Sequence, residues 1–388
     1  MLKKCTYEQI LYGGLLLGAI LWGVIFLLNS SGVQTAIFYH NGKDLYSDFY
    51  MIQDFLREAD YYRPFSHPWH DSNYVALVRL YFSAYPYSLT GAVFFTIVSS
   101  ACYLLSIGLF SKARKLPVIW TLVGVVSSSN FISAQERGNS IIVSAAAVVL
   151  FLAWFDSKVR WQRMVAAVAL AFAGVSKVSP ALLGFLYFKK WQWREMIVCA
   201  VAAFLFFFVP FFIPGYGGVD GILQWYQNAK ANSEHYALFG AYGFTRIFYG
   251  IHDVLVSLGH GGEAKGVVAV RPLSPLFGLC VFASSFLAAK TYVRVLLTLA
   301  ALLIIPGNQH SYCGLYLVPV MFWVAHSENK TWLSILVVLM FWAFVAPVPL
   351  IAAVMSMVQN LALMGLSCYF VIRTVMEKCA LRRSDNGN

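Results

Sequence analysis

Charge is what this sequence has least of. Charged residues fill 12% of its 388 positions, against a hydrophobic share of 60%. A soluble domain carries about a quarter charged residues, so an ordinary water-soluble fold is excluded. Cysteine is sparse as well. The seven (Cys5, Cys102, Cys199, Cys280, Cys313, Cys368 and Cys379) show no CxxC spacing, and neither long polar segment holds one. A disulfide framework and a thiolate metal site are thereby excluded. Ionisable residues are also missing from the middle of the long apolar runs. Ion-coupled transporters and proton pumps keep such groups near the bilayer midplane, so their absence argues against transport. No low-complexity linker or clear internal repeat divides the chain, which reads as a single integral membrane domain, 1–388.

The apolar residues fall in blocks instead of stripes. Segments 13–28, 88–110 and 332–350 each lack a charge, and about 18 such residues suffice to cross the hydrocarbon core. The expected fold is an all-α polytopic membrane protein with about twelve segments: 10–28, 87–110, 116–134, 140–155, 164–177, 180–188, 196–213, 272–289, 293–306, 313–326, 331–348 and 351–372. The first follows Lys3 and Lys4 but is long for a signal peptide and ends in a poor cleavage site, so it reads as an uncleaved span. The fifth and sixth share only 25 residues, 164–188, between two basic turns. One crossing would carry Lys189, Lys190 and Arg194 to the outer side, so a short helical hairpin with its tip at Ser176–Pro180 is expected.

The net charge of +11 does not point to nucleic acid. Basic residues crowd alternate short loops: Lys112, Arg114 and Lys115; Lys158, Arg160 and Arg163; Lys189, Lys190 and Arg194; Lys290 and Arg294. This positive-inside pattern places both termini in the cytoplasm of a plasma (inner) membrane protein. Two long external loops result, 29–86 and 214–271. Within the first, Phe49–Leu56 has the pattern of an interfacial helix.

The remaining ionisable groups gather at the external ends of spans. Asp48 lies in the first loop, Glu136 and Arg137 in the turn before Asn139, Lys177 at the hairpin tip, and His310 after the ninth segment. Carboxylate, cation and imidazole beside lipid suit sugar transfer from a lipid-linked phosphate. A carboxylate can take the acceptor's hydroxyl proton. Cations can hold the phosphate, which gains charge as it departs.

The run Glu136-Arg137-Gly138-Asn139 at the opening of a helix, then Ala173-Gly174-Val175-Ser176-Lys177-Val178-Ser179-Pro180 and a basic Lys-Lys-Trp-Gln-Trp-Arg turn, resembles glycosyltransferase family 87. Those enzymes are polyprenyl-phosphate-mannose-dependent mannosyltransferases of the GT-C superfamily. Ser47-Asp48-Phe49-Tyr50 is similar to the family's early acidic motif, and Ser311-Tyr312 with Leu317-Val318-Pro319 to a later one. The chain departs from the family where Glu-Arg-Gly-Asn replaces the common Gly-Gln-x-Asn, and where Tyr85-Pro86-Tyr87 replaces Tyr-Pro-Pro. The resemblance implies Asp48 as catalytic base, Lys177 and Asn139 in the donor site, inversion at the sugar, and an active site on the external face. Arg137, Glu136 and His310 join the substrate-binding set on charge and position alone. The partners implied are a polyprenyl-phosphate sugar donor, a glycan or glycolipid acceptor and membrane lipid, with no nucleic acid, cofactor or metal. His67-Pro68-Trp69-His70-Asp71 lacks a third fixed metal ligand and reads as a packed loop. The alternatives are an O-antigen-type polymerase or ligase, then a lipid or solute transporter, then a non-catalytic assembly subunit.

Overall fold

The computed structural model describes residues 7–30, 45–57, 74–236, 242–257, 272–306, 311–342 and 349–385. All regular elements among them are helices. They sort into two compact units, each built from separated stretches of chain: 38–122 with 131–237, and 1–37 with 123–130 and 238–388.

The first of these, called here the site unit, holds α2 (Ser47–Arg57), α3 (Ala76–Ser83), α4 (Leu89–Arg114), α7 (Ile141–Trp154), α8 (Arg160–Ser176), α9 (Phe185–Lys189), α10 (Trp193–Phe208) and α11 (Gly218–Tyr236). The other unit holds α1 (Tyr7–Ser30), α12 (Phe244–Ser257), α13 (Leu273–Leu287), α14 (Thr291–Ile304), α15 (Val318–Glu328), α16 (Thr331–Trp342) and α17 (Pro349–Asp385). The helices α5 (Val118–Val126) and α6 (Ser129–Arg137) meet at a 56° bend. There the Ser127 and Ser128 hydroxyls donate to the Val123 and Val125 carbonyls. Such side-chain bonds compete with the helical ladder and commonly bend it.

In the second unit, α14 is buried on every side from Val293 to Ile304, as befits a helix apolar all round. Asn360 of α17 is fully buried and spans both polar groups of Gly243. Its Oδ1 accepts from the glycine N–H at 2.8 Å, and its Nδ2 donates to the glycine carbonyl at 2.6 Å. This amide pair pins the start of α12 to the last helix. Gly14 of α1 lies so close to α16 that a Cβ there would stand 2.6 Å from a Val338 methyl.

Among the described residues, three helices are long and apolar enough to cross a membrane: Leu89–Arg114, Trp193–Phe212 and Met357–Leu381, with the bent pair as a fourth if it counts as one span. Others, such as Ile141–Trp154 and Thr291–Ile304, are apolar but shorter. Helix length and composition alone thus give three or four spans, where the sequence reading has twelve. Each of the twelve positions nonetheless carries a helix. The expected loops are partly helical too: the first contains α2 and α3, the second α11 and α12. The apolar face of α2 is packed in protein, with Phe49 and Ile52 fully buried, and so differs from the interfacial helix expected.

The hairpin is present, and its pairing can be read from three contacts. A Cβ on Gly174 would touch Ala181, a Cβ on Gly184 would touch Leu170, and the Tyr187 hydroxyl donates to the Arg163 carbonyl. Partner numbers rise on one leg as they fall on the other, so the legs are antiparallel. The outgoing leg is the 17-residue α8, about 26 Å long. The return leg needs fewer residues because Ser179–Gly184 is a 3-10 helix, rising about 2.0 Å per residue. With α9 it covers roughly 20 Å, which returns Lys189–Arg194 to the end where α8 began.

That end is held by carboxylates. Asp156 accepts two bonds from Arg114, at 3.1 and 2.8 Å, and lies 3.5 Å from the Lys190 ammonium. Burial alone would raise the Asp156 carboxyl, but Arg114 and Lys190 outweigh it and hold it below the usual carboxylate range. Glu195 pairs with Arg163 at 2.7 Å. Three basic turns thereby become one surface. The helices α4 and α7 end here together, since Arg114 also donates to the Leu152 carbonyl. Residues before α7 and after α8 therefore lie at the opposite end of the site unit.

Candidate active site

At that opposite end, α6 closes in a Schellman turn, the paired closure that caps a helix with one left-handed residue. The Gly138 N–H donates to the Gln135 carbonyl and the Asn139 N–H to the Ala134 carbonyl, both at 3.0 Å. Gly138 takes φ +60°, and a Cβ there would meet the Phe49 Cβ at 2.9 Å. Glycine is needed on both counts: left-handed backbone is costly for other residues, and α2 sits directly against the turn. The Glu136 carbonyl, left over at the helix end, accepts from the Tyr46 N–H at 2.6 Å. Glu136-Arg137-Gly138-Asn139 thus ends one helix before the next opens, in the turn between the third and fourth expected segments.

The tightness of this turn positions Asp48. Its carboxylate lies in the first turn of α2, where a negative charge complements the helix dipole, and the residue is only 3% exposed. Arg137 Nε donates to Oδ2 at 2.9 Å and Nη2 to Oδ1 at 2.5 Å; Asn139 Nδ2 donates to Oδ2 at 2.5 Å. Asn139 is oriented in turn, because its Oδ1 accepts from the Ile141 N–H at 2.8 Å. A carboxylate has about four acceptor positions. Among the described residues Oδ2 takes two bonds and Oδ1 one, so the remaining acceptor position belongs to Oδ1. Two nitrogens of the Arg137 guanidinium, Nε and Nη2, thus face Asp48.

Ser47 Oγ, Glu136 Oε1 and Ser140 Oγ find no hydrogen bond among the described residues, and each belongs to a residue adjacent in sequence to a member of the clamp that Arg137 and Asn139 form on Asp48. Buried polar groups are normally satisfied, and leaving one unmade costs about 1–3 kcal/mol.

Lys177 caps α8 in extended backbone, half-buried, with its ammonium 5.1 Å from the centre of the Tyr74 ring. Asp48 and Lys177 flank one aromatic cluster. Phe49, Tyr74, Val75, Val78, Phe82, Phe95 and Val175 pack together in it, and Trp225 lies against it. Gln53 ties α2 to the same cluster by donating to the Phe82 and Tyr85 carbonyls at 2.6 and 2.9 Å. The sequence reading missed Arg79, which is 3% exposed on α3 with its guanidinium 4.6 Å from the centre of the Tyr216 ring. The signal was available: one cation inside the otherwise apolar and aromatic run Val75–Phe82. His310 and the cluster His67–Asp71 lie outside the described residues. Among the described residues, no group of three or more His, Cys, Asp or Glu is placed to hold a metal ion.

The structure therefore joins three of the six expected residues, Asp48, Arg137 and Asn139, with Glu136 next to Arg137 in sequence and Lys177 beside the Tyr74 ring of the aromatic cluster. Comparison with curated proteins and with solved structures gives no match. The family model of glycosyltransferase family 87 does match, over residues 74–306. The match starts after Asp48 and stops before His310 but covers Glu136, Arg137, Asn139 and Lys177. It extends over more than half of the sequence, and the chain belongs to glycosyltransferase family 87.

Proposed function

We propose that this glycosyltransferase moves a hexosyl group, mannose or another hexose, from a polyprenyl-phosphate donor to a glycan or glycolipid acceptor. The observation that carries this reading is the Asp48 carboxylate, held by Arg137 and Asn139, with one acceptor position of Oδ1 left open among the described residues. The acceptor hydroxyl gives its proton to Asp48 Oδ1 as its oxygen attacks the anomeric carbon. The bond from that carbon to the phosphate oxygen breaks, and its electron pair leaves with the lipid phosphate. Attack opposite the leaving group inverts the configuration. Arg137 and Asn139 hold the base in position. Lys177 takes the phosphate as its charge grows, and Arg79, buried on α3 with its guanidinium over the Tyr216 ring, stands as a second cation. Ser47, Ser140 and Glu136 offer polar atoms to sugar hydroxyls.

In this reading the chain crosses the inner membrane about twelve times with both termini cytoplasmic, and the site opens on the external face. The opposed ends of the site unit support that topology: basic turns at one end, Asp48 and Lys177 at the other. The test is sugar transfer by purified protein in nanodiscs, with a panel of labelled polyprenyl-phosphate hexoses and a glycolipid acceptor. Label is expected to leave one donor at a rate that falls at least about 10³-fold in Asp48→Asn. Folded protein that releases label from none of these donors would sink the donor assignment and point to diphosphate-linked glycans.

A further inference from the structure

The basic end of the site unit carries a feature that sugar transfer does not use. The helix α9 closes in the same turn as α6: the Trp191 N–H donates to the Phe188 carbonyl at 3.1 Å and the Gln192 N–H to the Tyr187 carbonyl at 3.0 Å. The left-handed residue of this turn, glycine at position 138, is here a tryptophan at φ +52°. Such backbone costs an L-residue about 1–2 kcal/mol, and bulky residues seldom adopt it. The closure of α4 repeats the choice with Lys115 at φ +57°. Local backbone preference would select glycine at both places, so the side chains have another use.

Trp191 is 71% exposed and Trp193 45%. With Phe188 they form a triad of touching rings standing in the open, their centroids 5.1 to 6.4 Å apart. The three basic turns around it hold nine lysines and arginines against two carboxylates. Both carboxylates, Asp156 and Glu195, are already paired, while Lys158, Arg160, Lys189 and Arg194 are exposed.

We propose that this surface binds anionic phospholipid. The three rings enter the boundary between headgroups and acyl chains, where tryptophan is favoured, and the exposed cations hold the lipid phosphates. Charge selects an anionic partner, and the exposed rings select one with an apolar layer beneath its charge, which is a bilayer and not a soluble polyanion. The inference rests on the membrane reading of the chain but not on its donor, its acceptor or Asp48.

The experiment uses full-length protein in a neutral detergent, titrated with phosphatidylglycerol, phosphatidylcholine or soluble polyphosphate, with thermal unfolding as readout. Phosphatidylglycerol is expected to raise the unfolding temperature in a saturable way, and the other two are not. Trp191→Gly relieves the left-handed strain, so it should unfold no earlier than wild type without lipid, yet need about tenfold more phosphatidylglycerol for the same shift. Trp191→Asn, which also tolerates this backbone, should behave likewise if the glycine variant folds poorly. Lys189→Gln with Arg194→Gln should weaken the response by about fivefold per cation. Equal stabilisation by phosphatidylcholine or by polyphosphate, or an unchanged phosphatidylglycerol response in the Trp191 variants, would overturn the proposal.

Discussion

Removing Arg137 tests the site at its centre, because the clamp makes fold and chemistry depend on the same pair. The Asp48 carboxylate is 4% exposed and the Arg137 side chain 26%. Arg137→Gln leaves that carboxylate with Asn139 alone, in a place with little access to water. Breaking a buried pair costs about 3–5 kcal/mol. Arg137 keeps some contact with solvent, which screens the interaction, so the expected loss is about 3 kcal/mol. Asp48→Asn should cost a similar amount, since its amide would turn donors toward the donors of Arg137 and Asn139. The double variant loses both charges together and should be more stable than additivity implies by about 2 kcal/mol. The assay is a double-mutant cycle of unfolding in mixed micelles, run beside turnover. On the proposed role of Asp48 as base, the double variant regains stability without turnover, whereas Arg137→Gln alone keeps a measurable rate. A coupling below about 0.5 kcal/mol would refute the clamp. Turnover restored with stability would refute the base and leave Asp48 a structural tie.

Three further outcomes are expected. Lys177→Met should lower turnover by about 10²-fold with no comparable loss of stability; a normal rate would remove Lys177 from the donor site. Gly138→Ala combines left-handed strain with a clash against the Phe49 Cβ and should cost about 2 kcal/mol or more; an unchanged unfolding midpoint would show that α2 can yield there. The Asp156 carboxyl lies below its ordinary value of 3.8 in the fold, so the unfolded chain takes up that proton first. Its stabilising share is fully present above about pH 4 and fades as the pH falls further. Asp156→Asn should flatten that acid limb, and a limb of unchanged slope would assign it to other carboxylates.

Much of this protein is legible in its sequence because the bilayer leaves few choices. Apolar blocks name the helices, and the basic turns order them. Charge even requires the hairpin, since one helix through 164–188 would carry Lys189, Lys190 and Arg194 to the wrong side. The number of spans is less legible, because hydropathy does not register where a helix breaks: Ser127 and Ser128 divide one apolar run, and Pro210 falls where α10 gives way to a 3-10 turn. The site shows the same division. Asp48, Arg137, Asn139 and Lys177 stand out by type and place, but nothing periodic links position 48 to 137 and 139, so their pairing appears only in three dimensions. Arg79 escaped notice because a lone cation among apolar residues resembles a span edge until its burial is known.

The close fit of Gly14 against Val338 has a consequence for biogenesis. The helix α1 leaves the ribosome about 300 residues ahead of its partner α16. At about 5–20 residues per second, the wait is on the order of 20–60 s. Leu16, Leu17 and Ile20 of α1 are exposed even in the finished fold, so during that interval lipid, or an insertion factor, is the only cover its apolar surface has. The site unit needs no such delay, because its own chain is nearly continuous from 38 to 237 and can assemble while α1 is still waiting.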